Sequence, residues 1–430
     1  MLQEKRLSKV GRVSAWLVIA LLVMVGTGCN AGTSTPTPTQ ALEVPTATAE
    51  APTAEAPTTT AANPTDTIEP AASPTSEATQ APTQSVNLAD LQWKQAGLAG
   101  TALQDLASPL TGGVVVAVGP TGGWSSAYDY TKWEPLNVHV EGHNVSASMS
   151  LITVIYVTSN TGCASGGPAT MQRSVDGGKT WQEVNKGMVP LTVAAGEDTL
   201  AYGTTCSGIV KTSDAGATWS QLPASHVQDY DPGVVATSPD GQQVVAAYYS
   251  EGGTARINRS TDGGTTWTEV TPKADEFRGP ILLSVVPGSE GHPEQGGTYM
   301  VSSPGQVWFL PEESTDWKLT KKDNAMMDNP VADYQITALY VDYISSERTG
   351  EPGPAIYTAR ARPNDGVSVT GMGVFRSVNG GLTWEPVGKG FDQHTVTSLA
   401  VAPPDPAASP KQSTTLVATA QDGVWSLQWP

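Results

Sequence analysis

The sequence predicts an all-β fold: a single β-propeller, which is a ring of four-stranded blades. An eight-residue pattern, Ser/Thr-x-Asp/Asn-x-Gly-x-Thr-Trp, occurs four times without gaps. Seven tryptophans recur at spacings of 38 to 67 residues, close to the length of one blade. Between them lie short apolar or alternating runs separated by turn-forming residues, which are typical of strands.

The first 28 residues predict a signal peptide. Four cations between Lys5 and Arg12 precede an apolar run, 13–25, that is too short to span a bilayer comfortably. Small residues follow, directly before Cys29. This resembles the lipobox of bacterial lipoproteins, although Gly26 stands where Leu is usual, and it implies that Cys29 carries lipid and begins the mature chain. The alternative is an ordinary signal peptide with an incidental Cys29.

Residues 29–85 predict a disordered linker. Thr, Pro, Ala, Ser and Glu dominate it, and 30–85 contain no aromatic residue, Lys or Arg. Such a segment buries too little apolar surface to offset its ordering entropy, and its Thr-Pro and Ala-Pro steps favour an extended spacer. The folded domain is therefore expected at 86–430. Its expected location is outside the cytoplasm, at the cell surface or in the periplasm, with lipid anchoring it to the bacterial membrane.

The charge of the chain argues against some partners. Its formal net charge is −18. The signal peptide and linker together hold four cations and seven carboxylates, so the predicted domain keeps about −15. A domain this acidic should repel nucleic acid and anionic lipid headgroups. We expect no nucleic-acid partner, and contact with the membrane through the lipid anchor only.

Two cysteines remain once Cys29 is lipidated. Cys163 and Cys206 form an even pair in an oxidising compartment, which predicts a disulfide. The five histidines are scattered, and no Cys/His spacing is typical of a structural zinc site. A surface metal site at the close pair His139 and His143 is the alternative. We expect no metal and no cofactor.

The repeated pattern predicts a tight turn between two antiparallel strands. The Asp or Asn side chain can accept hydrogen bonds from turn amides, the Gly allows a positive φ, and the Trp begins the next strand. We therefore expect an architectural role and assign no catalytic residue. The residues given this role are Ser174, Asp176, Gly178, Trp181, Asp214, Gly216, Trp219, Ser260, Asp262, Gly264, Trp267, Ser377, Asn379, Gly381 and Trp384.

These four segments resemble the Asp-box, or BNR repeat, of sialidases, xyloglucanases, sortilin-type ectodomains and photosystem II assembly factors. The resemblance implies a β-propeller in which each box joins the third and fourth strands of a blade. It covers only the predicted domain, and four copies make it specific.

Seven blades follow if one tryptophan marks each outer strand. The predicted domain begins with an outer strand at 93–98. It ends with a third strand at 423–427 that lacks an outer partner. Pairing these two strands would close the ring and remove two exposed edges. Six or eight blades stay open, because the first blade is poorly marked. The markers are Trp93, Trp133, Trp181, Trp219, Trp267, Trp317 and Trp384.

In such a meander the first-to-second and third-to-fourth turns lie at one end of the ring. The second-to-third turns and the crossovers between blades lie at the other. Binding residues concentrate on loops, so we expect a binding surface on the crossovers, opposite the boxes. The alternative for each residue is an ordinary solvated loop side chain. The candidates are His226, Asp229, Tyr230, Asp231, Asp275, Glu276, Arg278, Asp323, Asp328 and His394.

The same register supports the disulfide. Cys163 and Cys206 fall between the second and third strands of adjacent units. Equivalent loops of adjacent blades lie side by side, which predicts that the two thiols meet. The alternative is two buried cysteines that behave as small apolar residues.

The sequence lacks residues that the known activities of these families require. Sialidases need three arginines that clamp a carboxylate, yet 86–172 hold no arginine, and Arg173, Arg259 and Arg376 directly precede boxes. Lysine does not replace the bidentate geometry of arginine. Xyloglucanases use an Asp pair between two tandem propellers, and this chain has room for one propeller.

We therefore expect a non-catalytic, membrane-tethered binding or scaffold propeller, a monomer, with an unknown protein or glycan ligand. One alternative is a glycoside hydrolase, sialidase-like or xyloglucanase-like, with an acid/base pair drawn from Asp229, Asp231 and Asp275. The other is an assembly factor for an envelope complex. The photosystem II assembly factors match in length and layout, but their arginine-rich patch is not evident.

Overall fold

The computed structural model describes residues 87–108, 114–127, 130–138, 144–147, 154–159, 170–184, 190, 192–197, 199–273, 278–288, 296–303, 306–320, 335–343, 354–364, 369–402 and 414–429. Seven four-stranded antiparallel sheets account for these residues, together with one short 3-10 helix, Leu88–Asp90. The fold is a seven-bladed β-propeller, as the sequence predicts. The predicted signal peptide, Cys29 and the predicted linker lie outside the described residues.

Each blade is a meander whose strands run from the axis outward. Blade 1 contains β2 (Asp105–Ala107), β3 (Val114–Gly119), β4 (Gly122–Ala127) and β5 (Glu134–Pro135). Blade 2 contains β6 (Asn144–Ala147), β7 (Ile155–Thr158), β8 (Met171–Ser174) and β9 (Gln182–Glu183). Blade 3 contains β10 (Thr192–Ala195), β11 (Ala201–Thr205), β12 (Gly208–Thr212) and β13 (Ser220–Gln221). Blade 4 contains β14 (Asp231–Thr237), β15 (Val244–Tyr249), β16 (Ala255–Ser260) and β17 (Thr268–Glu269).

The remaining blades follow the same plan. Blade 5 contains β18 (Arg278–Val286), β19 (Gly297–Ser303), β20 (Gln306–Pro311) and β21 (Lys318–Thr320). Blade 6 contains β22 (Gln335–Asp342), β23 (Ala355–Pro363), β24 (Val369–Ser377) and β25 (Glu385–Val387). Blade 7 contains β26 (Val396–Ala402), β27 (Thr414–Ala420), β28 (Gly423–Trp429) and, as its outer strand, β1 (Lys94–Gly97).

The two ends of the chain close the ring, as predicted. Strand β1 pairs antiparallel with β28, with Lys94 opposite Ser426 and a bulge before Gly97. The buried Trp93 stacks on Phe391 at a centroid distance of 4.5 Å, and its indole N–H donates to a backbone carbonyl of blade 6 over 2.7 Å. This pairing gives β28 a partner on both sides and leaves no open edge at the seam.

All seven marker tryptophans directly precede an outer strand. The sequence places the start of these strands at the tryptophan itself, and the structure begins each one a residue later. In blade 1, which carries no repeated pattern, the indole of Trp133 donates to the carbonyls of Tyr130 and Ala96. Trp133 is partly buried and its N–H has partners, which anchors the outer strand even though blade 1 lacks the repeated pattern.

The four repeated segments, here called the repeat turns (174–181, 212–219, 260–267 and 377–384), join the third and fourth strands of blades 2, 3, 4 and 6. In the turn of blade 4, the Ser260 hydroxyl accepts from the Gly264 N–H at 2.8 Å. The Asp262 carboxylate accepts from both the N–H and the hydroxyl of Thr266, at 2.8 and 2.7 Å. These bonds satisfy amides that the tight turn would leave unpaired.

The hydrophobic core lies between neighbouring blades. Between blades 3 and 4, for example, Tyr202 and Ile209 pack on Val244, Ala246 and Tyr248, and all five are fully buried. Burying a side chain of this size stabilises the fold by roughly 1.5–3 kcal/mol. Because every blade packs on two neighbours, the inner strands are held around the axis with their ends in register.

The meander gives the ring two different ends. The first-to-second turns and the repeat turns lie at one end, here called the repeat-turn end. The second-to-third turns and the crossovers between blades lie at the other, here called the crossover end. Inner strands run from the crossover end to the repeat-turn end, so the position of a residue along its strand gives its depth on the axis.

Candidate functional site

A cavity of about 270 Å³ lies on the axis and touches the inner strand of every blade. Apolar side chains dominate its wall. The other lining residues bear hydroxyl groups, and none of the residues that line the cavity is charged. One lining residue from each of six blades illustrates the wall: Ala107, Ala194, Val235, Leu283, Leu339 and Leu399.

The cavity occupies the half of the axis nearer the repeat-turn end. Ala147, Ala195 and Thr237 are the last residues of β6, β10 and β14, and all three line it. Ser108 lines it from just beyond the end of β2. The first residues of these strands do not. The sequence analysis placed a binding surface at the crossover end and did not anticipate this cavity.

A series of polar contacts joins the inner strands of blades 7, 1 and 2 on the other half of the axis. The Asp105 carboxylate accepts from the Asn144 amide at 2.8 Å and from the Val145 N–H at 3.0 Å, which ties blade 1 to blade 2. The Ser398 hydroxyl of blade 7 also bonds to Asp105. Burial raises the pKa of Asp105, although these hydrogen bonds act in the opposite direction. Asp105 thus links three inner strands.

The same device continues into blade 3. The Asn144 side-chain oxygen accepts from the Val193 N–H at 3.1 Å, and the Ser146 hydroxyl accepts from the Ala195 N–H at 2.9 Å. Two backbone N–H groups on the free edge of β10 therefore have hydrogen-bond acceptors on side chains of β6. The sequence analysis missed Asp105 and Asn144. The sequence signal that could have identified them is a charged or amide residue at the start of a short inner strand.

The predicted binding residues of blade 4 lie together at the crossover end. His226, Asp229 and Asp231 are exposed, and Asp229 adopts a left-handed conformation with φ of 64°. The guanidinium of Arg256 sits 4.7 Å above the ring of Tyr230. This is a cation–π contact between a crossover and a third strand.

His394 acquires partners that the sequence did not reveal. Its Nδ1 lies 2.8 Å from the Asp422 carboxylate, and its ring lies 4.2 Å from that of Trp425. The Phe391 ring stacks on it at 5.3 Å. This cluster forms at the seam where β1 closes the ring, because the Asp422 carbonyl accepts from the N–H of Gly100. His394 therefore lies on blade 7, far around the ring from Tyr230.

The structure does not bring the predicted candidates together into one site. Asp275, Glu276, Asp323 and Asp328 lie outside the described residues, as does the side chain of Arg278, whose backbone begins β18. His139 and His143 also lie outside them. The parts of the chain that the structure describes contain no group of three or more His, Cys, Asp or Glu able to hold a metal.

The cysteine prediction receives a partial answer. Cys206 is disulfide-bonded and lies in the second-to-third turn of blade 3. Its predicted partner, Cys163, comes between β7 and β8 in the chain but lies outside the described residues. The pairing of these two cysteines stays a prediction.

Three arginines were candidates for a clamp that binds a carboxylate. In the structure each of them makes a different contact. Arg173 donates to the carbonyl of Ala215 at 2.7 Å, and Arg259 donates to that of Pro311 at 3.2 Å. Both bonds reach from one blade to the next. Arg376 pairs with Glu385 within blade 6 at 3.2 Å. These guanidinium groups serve the packing of blades.

Comparison with known proteins identifies the fold. No family model and no curated protein matches the chain. Among solved structures, the GH74 xyloglucanase from Xanthomonas campestris has a TM-score of 0.54 at 13% identity, over 78% of this chain and 53% of the enzyme. The GH74 enzyme from Niastella koreensis has a TM-score of 0.53 at 16% identity, over 78% and 53%. YCF48 bound to D1 peptide has a TM-score of 0.52 at 18% identity, over 80% and 98%.

The share of each neighbour that is covered differs. The chain spans about half the length of the two GH74 enzymes but nearly all of YCF48. At these identities the likeness shows a shared seven-bladed propeller fold. Within the described residues, no helix is both long and apolar enough to cross a membrane.

Proposed function

We propose that this chain is an Asp-box lipoprotein whose propeller binds a partner outside the cytoplasm without catalysing a reaction. The observation that carries the proposal is the axial cavity, because its lining residues are apolar or hydroxyl-bearing and include no carboxylate. Glycoside hydrolysis needs two carboxylic groups on either side of the scissile bond. A cavity lined by apolar and hydroxyl-bearing residues suits binding instead.

The form of the domain supports binding over hydrolysis. The resembling xyloglucanases work between two propellers, and this chain matches about half of each GH74 enzyme. Arg173 and Arg259 hold neighbouring blades together, so they are poor candidates for a carboxylate clamp. The neighbour matched over nearly its whole length is a single propeller bound to a peptide. The assembly-factor alternative draws its support from that match.

The tether rests on the sequence alone. An apolar run too short to span a bilayer leaves the lipid on Cys29 as the anchor. We expect the wild-type chain in the membrane fraction and the Cys29→Ala chain in the soluble fraction. Membrane retention of the variant would point to an uncleaved N-terminal helix and would remove the lipoprotein part of the proposal.

Partner binding is tested separately from the tether. The immobilised chain is exposed to glycan and peptide arrays, with the same protein unfolded in denaturant as the control. Binding without product release supports a binding propeller. Release of cleaved sugar would favour the glycoside hydrolase alternative, in which Asp229 and Asp231 are the described candidates for acid and base.

A further inference from the structure

A second cavity, of about 330 Å³, lies between the outer strands of blades 4 and 5 and is here called the rim cavity. It shares no lining residue with the axial cavity. Its volume falls within the range of small-molecule sites, roughly 300–1,000 Å³. Four of its lining residues are exposed, so it is open to solvent: Glu269, Lys273, Thr315 and Asp316. The others are Val270, Thr271, Pro272, Trp308 and Trp317.

The rim cavity lies where blade 5 lacks a repeat turn. In the repeat turn of blade 4, a Cβ added at Gly264 would lie 2.4 Å from the Leu222 side chain of blade 3. This turn therefore packs directly on the preceding blade. Ser314 occupies the position of Gly264 in blade 5. Its side chain excludes the same close approach to blade 4, and a cavity occupies this interface.

Two tryptophans give the rim cavity an aromatic wall. In blades 2, 4 and 6 the marker tryptophan donates its indole N–H to a glycine carbonyl of its own turn. Trp317 instead donates to the Val270 carbonyl of blade 4. The buried Trp308 donates to the Ser302 hydroxyl at 3.0 Å. Both indole N–H groups are therefore engaged, and the two side chains offer a ligand apolar ring surface, that of Trp317 being partly exposed.

The polar side of the rim cavity contains both acceptors and donors. The Glu269 carboxylate accepts from the Thr271 hydroxyl at 3.0 Å and lies 3.9 Å from the guanidinium of Arg256. A carboxylate has about four acceptor positions, so Glu269 keeps capacity for a ligand. Asp316 supplies a second carboxylate, and Lys273 supplies an ammonium group that can only donate.

A neutral saccharide matches this combination of groups. A pyranose ring has apolar C–H faces and a periphery of hydroxyl groups, each of which both donates and accepts. One face can cover an indole while the hydroxyls bond to carboxylates and ammonium. A wholly apolar ligand would leave these polar groups without partners. Two carboxylates against one ammonium make the lining negative, which disfavours an acidic sugar.

We propose that the rim cavity binds a neutral saccharide, with one ring stacked on Trp317. This inference rests on the proposed binding function and names a site and a ligand class for it. The carboxylates of Glu269 and Asp316 accept hydrogen bonds from the sugar hydroxyls, and Lys273 donates one.

Calorimetric titration with neutral disaccharides tests the proposal, using cellobiose, mannobiose, lactose and N,N′-diacetylchitobiose. Sialyllactose is the acidic counterpart. The full wild-type chain is held in phosphatidylcholine vesicles, since many detergents carry sugar headgroups, and empty vesicles give the background. We expect saturable binding of at least one neutral disaccharide and no measurable binding of sialyllactose. Each disaccharide should be recovered uncleaved.

Matched tryptophan variants locate the site. Trp317→Ala removes the ring and should weaken binding about tenfold or more, because the ring face that the sugar covers contributes about one power of ten in affinity. Trp267→Ala is the control. Trp267 occupies the equivalent position in blade 4, is also partly buried and does not line the rim cavity. This variant should bind as the wild type does.

A second pair of variants serves if Trp317→Ala does not fold by its thermal melt. Glu269→Gln keeps the size of the side chain but removes its charge, and it should weaken binding about threefold or more, since hydrogen bonds to an ionised acceptor are stronger. Glu183→Gln is the control. Glu183 is the exposed last residue of β9, as Glu269 is of β17, and it does not line the rim cavity.

The proposal is overturned if no neutral disaccharide binds saturably, or if sialyllactose binds more tightly than all of them. Equal binding by Trp317→Ala and wild type would also overturn it, and so would equal binding by Glu269→Gln where the first variant does not fold. None of these results bears on the proposed function. That function fails only if the arrays find no partner of any class or if the chain turns over a glycan.

Discussion

The guanidinium of Arg173 in blade 2 donates a 2.7 Å hydrogen bond to the carbonyl oxygen of Ala215 in the repeat turn of blade 3. Lys211 makes the equivalent contact one blade later, donating to the Gly263 carbonyl at 3.3 Å. Each cation directly precedes the first residue of its own repeat turn. The repeat therefore contains a contact between blades as well as a turn.

We expect Arg173→Met to lower the free energy of unfolding by about 1–2 kcal/mol, because the buried Ala215 carbonyl loses a charged donor. Lys179→Met is the control, since Lys179 is exposed on the neighbouring repeat turn. Chemical denaturation of the two variants and the wild type gives the comparison. Equal loss in both variants would show that the Arg173 contact contributes nothing specific.

The second prediction concerns the fourth position of the repeat turns. Gly177, Gly263 and Gly380 occupy it with φ of 73°, 68° and 70°, and Ala215 occupies it with φ of 56°. A residue with a Cβ pays about 1–2 kcal/mol to adopt this left-handed conformation. Ala215→Gly should therefore raise the free energy of unfolding by about 1 kcal/mol, and Gly263→Ala should lower it by a similar amount. Changes of the same sign in both variants would contradict this explanation.

Acid should destabilise the domain through the repeat turns. The pKa of Asp176, Asp214 and Asp262 falls from its ordinary 3.8 to about 2 in the folded state, chiefly through side-chain hydrogen bonds from the threonines. A folded pKa below the unfolded one adds stability above about pH 4, and that stability is lost as the pH falls through about 2. The melting temperature should decline across this window.

Asparagine at the same three positions provides the control for the acid effect. Asn379 already occupies the position in blade 6, where its side-chain oxygen accepts from the Thr383 N–H at 2.9 Å. The triple variant with Asn at 176, 214 and 262 should keep the turns and show a shallower decline in melting temperature between pH 4 and pH 2. An unchanged decline would assign acid sensitivity to other carboxylates.

The sequence predicts the ring well because its signals are local. The side chains that form the hydrogen bonds of a repeat turn all lie within its eight residues. The tryptophan that ends the turn marks an outer strand. Closure by β1 follows from counting strands. The Asp105–Asn144 contact joins residues 39 apart, and His394 meets Asp422 across 28 residues. No local pattern records such pairs, since packing of the blades creates them.

The axial cavity escaped prediction for a related reason. Its walls come from one or more short apolar segments in every blade, and each segment alone reads as an ordinary buried strand. The sequence analysis therefore looked for function among polar crossover residues. The structure scatters those it describes between blade 4 and blade 7, and it leaves on the axis a cavity whose lining residues carry no charge.

The disulfide prediction can be completed by peptide mapping. We expect non-reducing digestion to yield one crosslinked species that joins the peptides containing Cys163 and Cys206. Reduction should lower the unfolding free energy by up to about 4 kcal/mol, because the bridge closes a long loop of the unfolded chain. A crosslink between Cys206 and any other partner would contradict the predicted pairing.

The central claim is that the propeller binds without catalysing hydrolysis, and product release from glycans tests it most directly. The purified full chain is incubated with sialosides and β-glucans, including xyloglucan oligosaccharides, and reducing ends and free sugars are quantified against buffer. We predict no turnover above the buffer rate. Turnover by the wild type that is abolished in Asp229→Asn or Asp231→Asn, with unchanged melting temperature, would contradict the claim and establish a glycoside hydrolase.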